Sequence, residues 1–333
     1  MLRQVMLALL VFVAGHAAAA DERWPLGRLA LPEAAVAMEK AGDGALLRLS
    51  DGSYRRVIWD EGGAALEPAA APERESAPDM LPDGDVVRGE GTIRRAWLAA
   101  PTSRYDHAIL GDGIEAAELR VETADGETLV YDAPHDTVFE DLTPRLWDLD
   151  GDGEAEVWVV RSGPIEGARF EAYTVREGAL RLRMATEPIG QGHRWLNPVG
   201  MGDFTGAGSL EVALVKTPHI GGILTVYRRD GLALDPVALV PGVSNHSIGS
   251  REMGLSWIGD IDGDGAADIL IPGKSRRELV ALRLPGGKFQ AIGASGRSGH
   301  IQTDLVELSL PKGGRAIVFA DDGPALRWLR LPD

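Results

Sequence analysis

A short acidic stretch followed by an apolar run recurs through the C-terminal part of this 333-residue chain, and that recurrence constrains the fold more than any other feature. It reads WDLDGDGEAEVWVV from 147, GDFTGAGSLEVALV from 202, GDIDGDGAADILIP from 259 and, in faded form, VELSLPKGGRAIVF from 306. Copies lie roughly 45 to 57 residues apart, the period of a repeat architecture. Each runs in the same order: a short strand, the turn, a buried strand, a Gly-rich connector, and a hairpin such as GARFEAYTVREGALRL or GGILTVYRRDGLALDP.

Four strands per unit at that period describe a β-propeller blade. An all-β fold is therefore expected, a β-propeller of four-stranded blades over residues 21–333, with about six blades and a range of five to seven. The rest of the chain agrees. Apolar runs are short and bounded by Gly and Pro, as in ALLRLS (45–50), YRRVIWD (54–60), AELRVET (117–123), EVALVKT (211–217) and RAIVFAD (315–321), which is the pattern of strands. No segment after the N-terminus reads as an amphipathic helix. EPAAAPERESAPDMLPDGD (67–85), rich in Pro, Ala and charge, reads as a flexible excursion rather than a boundary between two cores.

The acidic turns carry the clearest chemistry. Carboxylates at alternate positions repel one another unless something positive sits between them, and hard oxygen ligands so spaced suit calcium. In the first copy Asp148, Asp150 and Asp152 can converge on one ion, with the Glu154 carbonyl and the Glu156 side chain completing the set. The second uses Asp260, Asp262, Asp264, the Ala266 carbonyl and Asp268. An EF-hand would need a bidentate Glu at its twelfth position, where Val159 and Ile271 stand instead. A third copy keeps Asp203, Thr205 and Glu211 but has Ala207 where a ligand belongs, so it is either a weak site or an ion-free turn. The competing reading of all three is solvated Asp/Gly turns.

These turns, each followed by an apolar strand, resemble the FG-GAP or VCBS repeats of the integrin-α-like β-propeller. The resemblance covers residues 140–333 and fades over 21–139, where no intact acidic turn occurs. It implies calcium bound in the loop between the first two strands of a blade, and an ion that braces the turn rather than one that does chemistry.

Function is then sought on the opposite face. Strands alternate direction within a blade, so the loops joining one blade to the next, and those between second and third strands, lie away from the acidic turns. They read GHRWLNP (192–198), TPHIGG (217–222), SNHSIGSRE (244–252) and SGHIQTD (298–304). His193, His219, His246 and His300 are expected to share one depression there, with His135 as a fifth. Arg194, Asn245 and Arg251 would donate hydrogen bonds to a ligand and Trp195 would offer an apolar platform. Glu252, beside Arg251, is the first carboxylate to test for glycoside cleavage. Loop His and Asn side chains also serve merely to cap turns. Three histidines suffice for zinc, but no HxH or HExxH spacing supports it.

Composition narrows the partners. The formal net charge of −16 argues against nucleic acid or an anionic membrane, both of which need a basic face. The absence of cysteine excludes disulfides and thiolate chemistry. The opening MLRQVMLALLVFVAGHAAAADERW has an early Arg3, an apolar core over 5–14, and Ala18 and Ala20 ahead of Asp21, the layout of a secretory signal peptide cut after Ala20. Its apolar stretch falls short of the roughly 20 residues that span a bilayer. A periplasmic or secreted protein without stable membrane insertion is expected. By resemblance it is a calcium-stabilised binding module for a protein or glycan. The alternative is an enzyme, a glycan lyase or hydrolase, using the His-rich face. A quinone-cofactor dehydrogenase is a third possibility that no tryptophan-docking repeat supports.

Overall fold

Short apolar runs punctuated by Gly turns pair with the next run along the chain, and sets of four build antiparallel sheets. The computed structural model describes residues 23–60, 62–134 and 136–332; the segment expected to be a signal peptide and His135 lie outside them. Blade 1 comprises Ala35–Ala41, Gly44–Leu49, Tyr54–Asp60 and Gly63–Ala69, and blade 2 Val87–Arg88, Ile93–Thr102, Glu115–Thr123 and Thr128–Asp132. Blade 3 comprises Arg145–Trp147, Glu156–Ser162, Arg169–Arg176 and Ala179–Thr186, and blade 4 Leu196–Gly202, Glu211–Lys216, Ile223–Asp230 and Ala233–Pro241. Blade 5 comprises Trp257–Gly259, Asp268–Pro272, Leu279–Arg283 and Gln290–Ser295.

Blade 6 differs. Its first three strands, Val306–Ser309, Arg315–Asp321 and Ala325–Arg330, come from the end of the chain, and its outermost strand is Leu26–Ala30, from near the start. Leu26 stands opposite Leu329 and Ala30 opposite Ala325 in an antiparallel register. Just before it, Arg23–Trp24 runs parallel to the outer strand of blade 5. The six units form a β-propeller, and both chain ends close it. A single 3-10 turn, Pro285–Gly287, is the only helical element among the described residues, and no helix there is long and apolar enough to cross a membrane.

The second strand of each later blade is packed on both faces, which is why its sequence is a continuous apolar run instead of an alternating one. Val157, Trp158, Val159 and Val160 have no exposed surface, nor do Val212 to Val215 or Ala316 to Ala320. Each such side chain contributes roughly 1.5–3 kcal/mol by leaving water. Close approach fastens the ring where blade 6 meets blade 1. A Cβ on Gly27 would sit 1.8 Å from the Trp328 ring, and one on Gly63 2.8 Å from it, so only glycine admits the indole.

The segment expected to be a flexible excursion is fastened along its second half. Leu81 N donates to Leu98 O (2.9 Å), Ala100 N to Asp79 O (3.0 Å), and Trp97 Nε1 to Pro78 O (3.2 Å). Leu81 is itself 1% exposed. These contacts make residues 79–81 and Val87–Arg88 two pieces of one innermost strand, both paired to Ile93–Thr102. Residues 82–86 bulge out between them, and Pro82 to Asp85 line a cavity.

Candidate functional site

On one face lie the acidic turns. In blade 3, Asp148 takes the Gly151 and Gly153 amides on its two oxygens at 2.7 and 2.9 Å, a wrap made possible by left-handed backbone at both glycines. Glu156, at the start of the buried strand, accepts Leu149 N at 3.2 Å. Blade 5 repeats the pattern: Asp260 takes Gly263 and Gly265 at 2.7 and 3.0 Å, and Asp268 takes Ile261 N at 2.8 Å. Asp148, Asp150 and Glu156 bring oxygens within 4.8 Å of one another, as do Asp260, Asp262 and Asp268.

Both sets fit a metal ion on grounds beyond their acidity. One buried oxygen of Asp150 and one of Asp268 have no hydrogen-bond partner, and such groups are costly to leave unanswered. Burial, with some contribution from the neighbouring acids, pushes Glu156 up to about 7 and Asp268 up to about 6. A cation between the oxygens would supply the missing charge. Asp152 and Asp264, expected in the ligand sets, each use one oxygen to cap their own turns, accepting Glu154 N and Ala266 N at 2.9 Å. Glu154, expected only through its carbonyl, reaches Thr92 N at 3.0 Å and staples the turn to blade 2.

The degenerate turn of blade 4 has the same wrap, with Asp203 accepting Ala207 N and Gly208 N at 2.9 and 2.8 Å. Here the chain provides the cation. Arg228 Nη2 lies 2.6 Å from Glu211 Oε1 and 3.0 Å from Thr205 Oγ1, and Glu211 is fully buried. Val212 faces Tyr227 as Ile269 faces Leu282, so Arg283 is the blade 5 equivalent of Arg228. Arg283 reaches Asp262 at 2.8 Å and leaves Asp268 unpaired.

On the opposite face the sequence-predicted histidines divide. His219 and His246 touch, Nε2 to Nδ1 at 2.9 Å, and His246 Nε2 lies 3.1 Å from Ser250 O. A carbonyl only accepts, so His246 is protonated on Nε2, accepts on Nδ1 from His219 Nε2–H, and leaves His219 Nδ1 as a lone pair. Burial pushes these imidazoles down to about 4 and about 3, so both are neutral at ordinary pH. His193 belongs to a neighbouring group, stacked on Tyr105 at 5.2 Å and hydrogen-bonded to Asp106 at 2.8 Å. Glu140 joins the two groups: its side chain holds His107 Nδ1 at 2.7 Å and its carbonyl accepts Trp195 Nε1 at 3.0 Å. His300 stands apart, paired with Asp322 and Arg277.

Two expectations for this face fail on burial. Trp195 is 1% exposed and stacked inside against His219, so it offers no platform to a ligand. Asn245 is fully buried, and its carbonyl receives Asn197 Nδ2 at 3.1 Å beneath the loops. Arg194 turns onto the His193 carbonyl at 2.9 Å.

The concave feature is elsewhere on the same face. A cavity of about 590 Å³ opens where side chains of blades 1, 2 and 3 meet the loops into blades 5 and 6, walled in blade 1 by its first three strands. Blade 1 provides Met38, Glu39, Arg48 and Tyr54; the bulge of blade 2 provides Asp83 and Asp85; Arg145 comes from blade 3; Arg251, Glu252 and Asp304 come from the loops into blades 5 and 6. Glu252 is its keystone, accepting Met38 N at 3.1 Å and Asp304 N at 3.0 Å and so bridging three blades. Asp304 in turn accepts Gly254 N at 2.7 Å. Burial pushes Glu252 up to about 7, and burial together with Glu252 pushes Asp304 up as well. Arg251 and Glu252 were legible as candidates. Arg48, Tyr54 and Asp83 were not, because only ring closure brings them together with Arg251 and Glu252.

No protein-family model and no curated protein matches the chain. Similar solved structures include BBS1N in complex with ARL6DN, 11% identical over 93% of this chain and 97% of that one, with a TM-score of 0.47. Others are the WD40 domain of Toxoplasma gondii coronin (10% identity, 90% and 70% covered, TM-score 0.40) and a glucose dehydrogenase (12%, 92% and 99%, TM-score 0.44). Such distant likeness carries no functional argument, and the β-propeller assignment rests on this chain's own strand pairing.

Proposed function

We propose that this chain is an exported, calcium-stabilised β-propeller of the FG-GAP or VCBS type, acting as a binding module whose ligand enters the axial cavity. The supporting observation is the cavity itself: its volume falls in the ~300–1,000 Å³ range of small-ligand sites, and charged side chains from separate blades converge on it. Calcium would be held by Asp148, Asp150 and Glu156, and by Asp260, Asp262 and Asp268, all-oxygen sets of the kind a hard cation takes. Bound there, it supplies positive charge to the turns and braces the blades that carry the cavity.

The test is a thermal-shift panel of saccharides, small metabolites and peptides, run on the wild type and on Val36→Trp. Val36 is 41% exposed on the cavity wall, so an indole there fills the opening without disturbing the core. Ligands that raise the wild-type melting temperature should lose their effect in the variant. Stabilising ligands that act equally on both proteins would refute the axial site. The Glu252–Asp304 pair, two carboxyl groups raised in pKa within a cavity, also favours an enzymatic alternative, a glycan lyase or hydrolase. Turnover of a glycan that disappears in Glu252→Gln, with the fold retained, would favour it.

A further inference from the structure

Charge accounting around the axial cavity points to a ligand class, and this step rests on the axial site proposed above. Three of the four guanidinium groups on its wall are already answered. Arg74 pairs with Asp85 at 2.7 Å and Glu39 at 3.2 Å, Arg251 with Asp83 at 2.7 Å and Asp112 at 2.8 Å, and Arg145 with buried Asp141 at 2.6 Å. Arg48 is exposed and makes no ion pair among the described residues. The acids of the wall follow the same division. Asp83, Asp85 and Glu39 are matched by guanidinium groups, while burial holds Glu252 and Asp304 toward their neutral forms, Asp304 also through Glu252, and the Arg48 charge acts the other way on Glu252. Arg48 is left as the one guanidinium of the wall with no ion pair among the described residues, in a cavity whose other polar side chains, outside those pairs, are these two carboxyls, Tyr54 and Thr143.

Arg48 does not stand alone. It faces Tyr54 directly across two antiparallel strands of blade 1, so the two side chains share one face of the sheet. A guanidinium fork binds a carboxylate through two parallel hydrogen bonds, and an aromatic ring beside it offers an apolar surface to the C–H face of a saccharide ring. Neutral carboxyl groups both donate and accept, which suits hydroxyl groups.

We infer that the axial cavity binds a hydroxylated carboxylate of the uronate type, its carboxylate on Arg48, its ring against Tyr54 and its hydroxyls on Glu252 and Asp304. A free sugar acid and a uronate residue of a polysaccharide share this chemistry. Length separates them: a trimer that binds more tightly than its monomer identifies the polysaccharide.

The experiment is calorimetric titration of the calcium-loaded protein with D-galacturonate, D-glucuronate, D-mannuronate, trigalacturonate and the three matching neutral hexoses. At least one uronate should bind at least tenfold more tightly than its neutral counterpart. Arg48→Ala should weaken that binding about tenfold or more and Tyr54→Ala severalfold, while Arg48→Lys recovers part of the loss. Arg48 is at the surface, so an unchanged melting temperature for its variants keeps the readout free of misfolding. Val36→Trp should abolish binding altogether. Neutral hexoses that bind as well as the uronates, and are lost in Val36→Trp, would overturn the uronate assignment and leave the axial site standing. Uronate binding that survives Val36→Trp would overturn both. Failure of every uronate to bind would overturn the assignment alone, because the axial site is judged by the broader ligand panel.

Discussion

The turns of blades 3 and 5 and the turn of blade 4 have one backbone design and different sources of positive charge. In all three an aspartate takes two amides of its own turn, and an acid at the start of the next strand is buried behind it. Blade 4 meets that buried acid with Arg228; in blades 3 and 5 the arginines Arg183 and Arg283 reach Asp150 and Asp262 instead, at 2.8 Å each, and one oxygen of Asp150 and one of Asp268 stay unanswered and suited to an ion from outside. The axial face adds a third solution, in which Glu252 and Asp304 lose their charge to a proton. A propeller with packed blade interfaces must answer the carboxylates it buries, and this one does so by guanidinium in blade 4 and by proton on the axial face, while the sets in blades 3 and 5 could take a metal ion. The wrap alone therefore does not reveal whether a turn needs calcium.

Removing the metal should have the largest effect. An ion held about a hundredfold above its dissociation constant adds roughly 2.7 kcal/mol per site. Chelation should then lower the melting temperature by on the order of 10 °C for two sites in a chain of this size. The double variant Asp150→Ala with Asp262→Ala should remove most of the response. A melting curve indifferent to chelator in the wild type would erase the distinction between blade 4 and its neighbours.

Next in size is Arg228→Ala, which leaves Glu211 charged and buried without its partner. A loss of about 2–3 kcal/mol is expected, with or without calcium. Adding Thr205→Asp to that variant recreates the Asp, Asp, Glu set of blade 3, and its stability should return only when calcium is present. If the double variant responds to calcium no more than the wild type does, the arginine is not standing in for an ion.

The smallest effect concerns the proton. Burial raises the Glu252 carboxyl to about 7, from an ordinary value of 4.5. The folded state therefore holds a proton the unfolded state has released, and the associated stability is complete below about pH 4.5 and lost as pH rises through about 7. Glu252→Gln keeps an acceptor for Met38 N and Asp304 N but has no such dependence. Denaturant titrations of the two proteins at pH 5 and pH 8 should differ by about 1–2 kcal/mol in their pH response. Parallel responses would mean that Glu252 is ionised throughout and that the axial face is neutralised as blade 4 is.

Blades 3 to 5 were legible because the acidic turn punctuates them and the strand after it is apolar throughout. Blades 1 and 2 were not, for local reasons. Blade 1 turns on the short hairpin at Gly42 and Asp43, which has no motif, and the innermost strand of blade 2 is split by its bulge. The faded fourth copy hid a shared blade, since nothing in LGRLA announces a partner in ALRWLR three hundred residues later. Among site residues, spacing nominated Asp148, Asp150, Asp152 and Glu156; the fold brings oxygens of Asp148, Asp150 and Glu156 within 4.8 Å of one another, while Asp152 caps the turn with one of its own. The histidine-rich loops were found by composition, yet composition does not distinguish a ring that faces solvent from one packed under Trp195.

The strand Leu26–Ala30 also sets a timetable. It is among the first segments of the folded region to be made, and its partner Ala325–Arg330 is among the last. Until the final residues arrive, blade 6 lacks its outer strand and the early segment has no place to dock, so the ring cannot close on a growing chain. Contacts this distant in sequence make folding slow and keep unpaired strand edges open meanwhile. The architecture thus withholds its own completion: the ring stays open until Ala325–Arg330 has been made and the strand from near the start can dock on it.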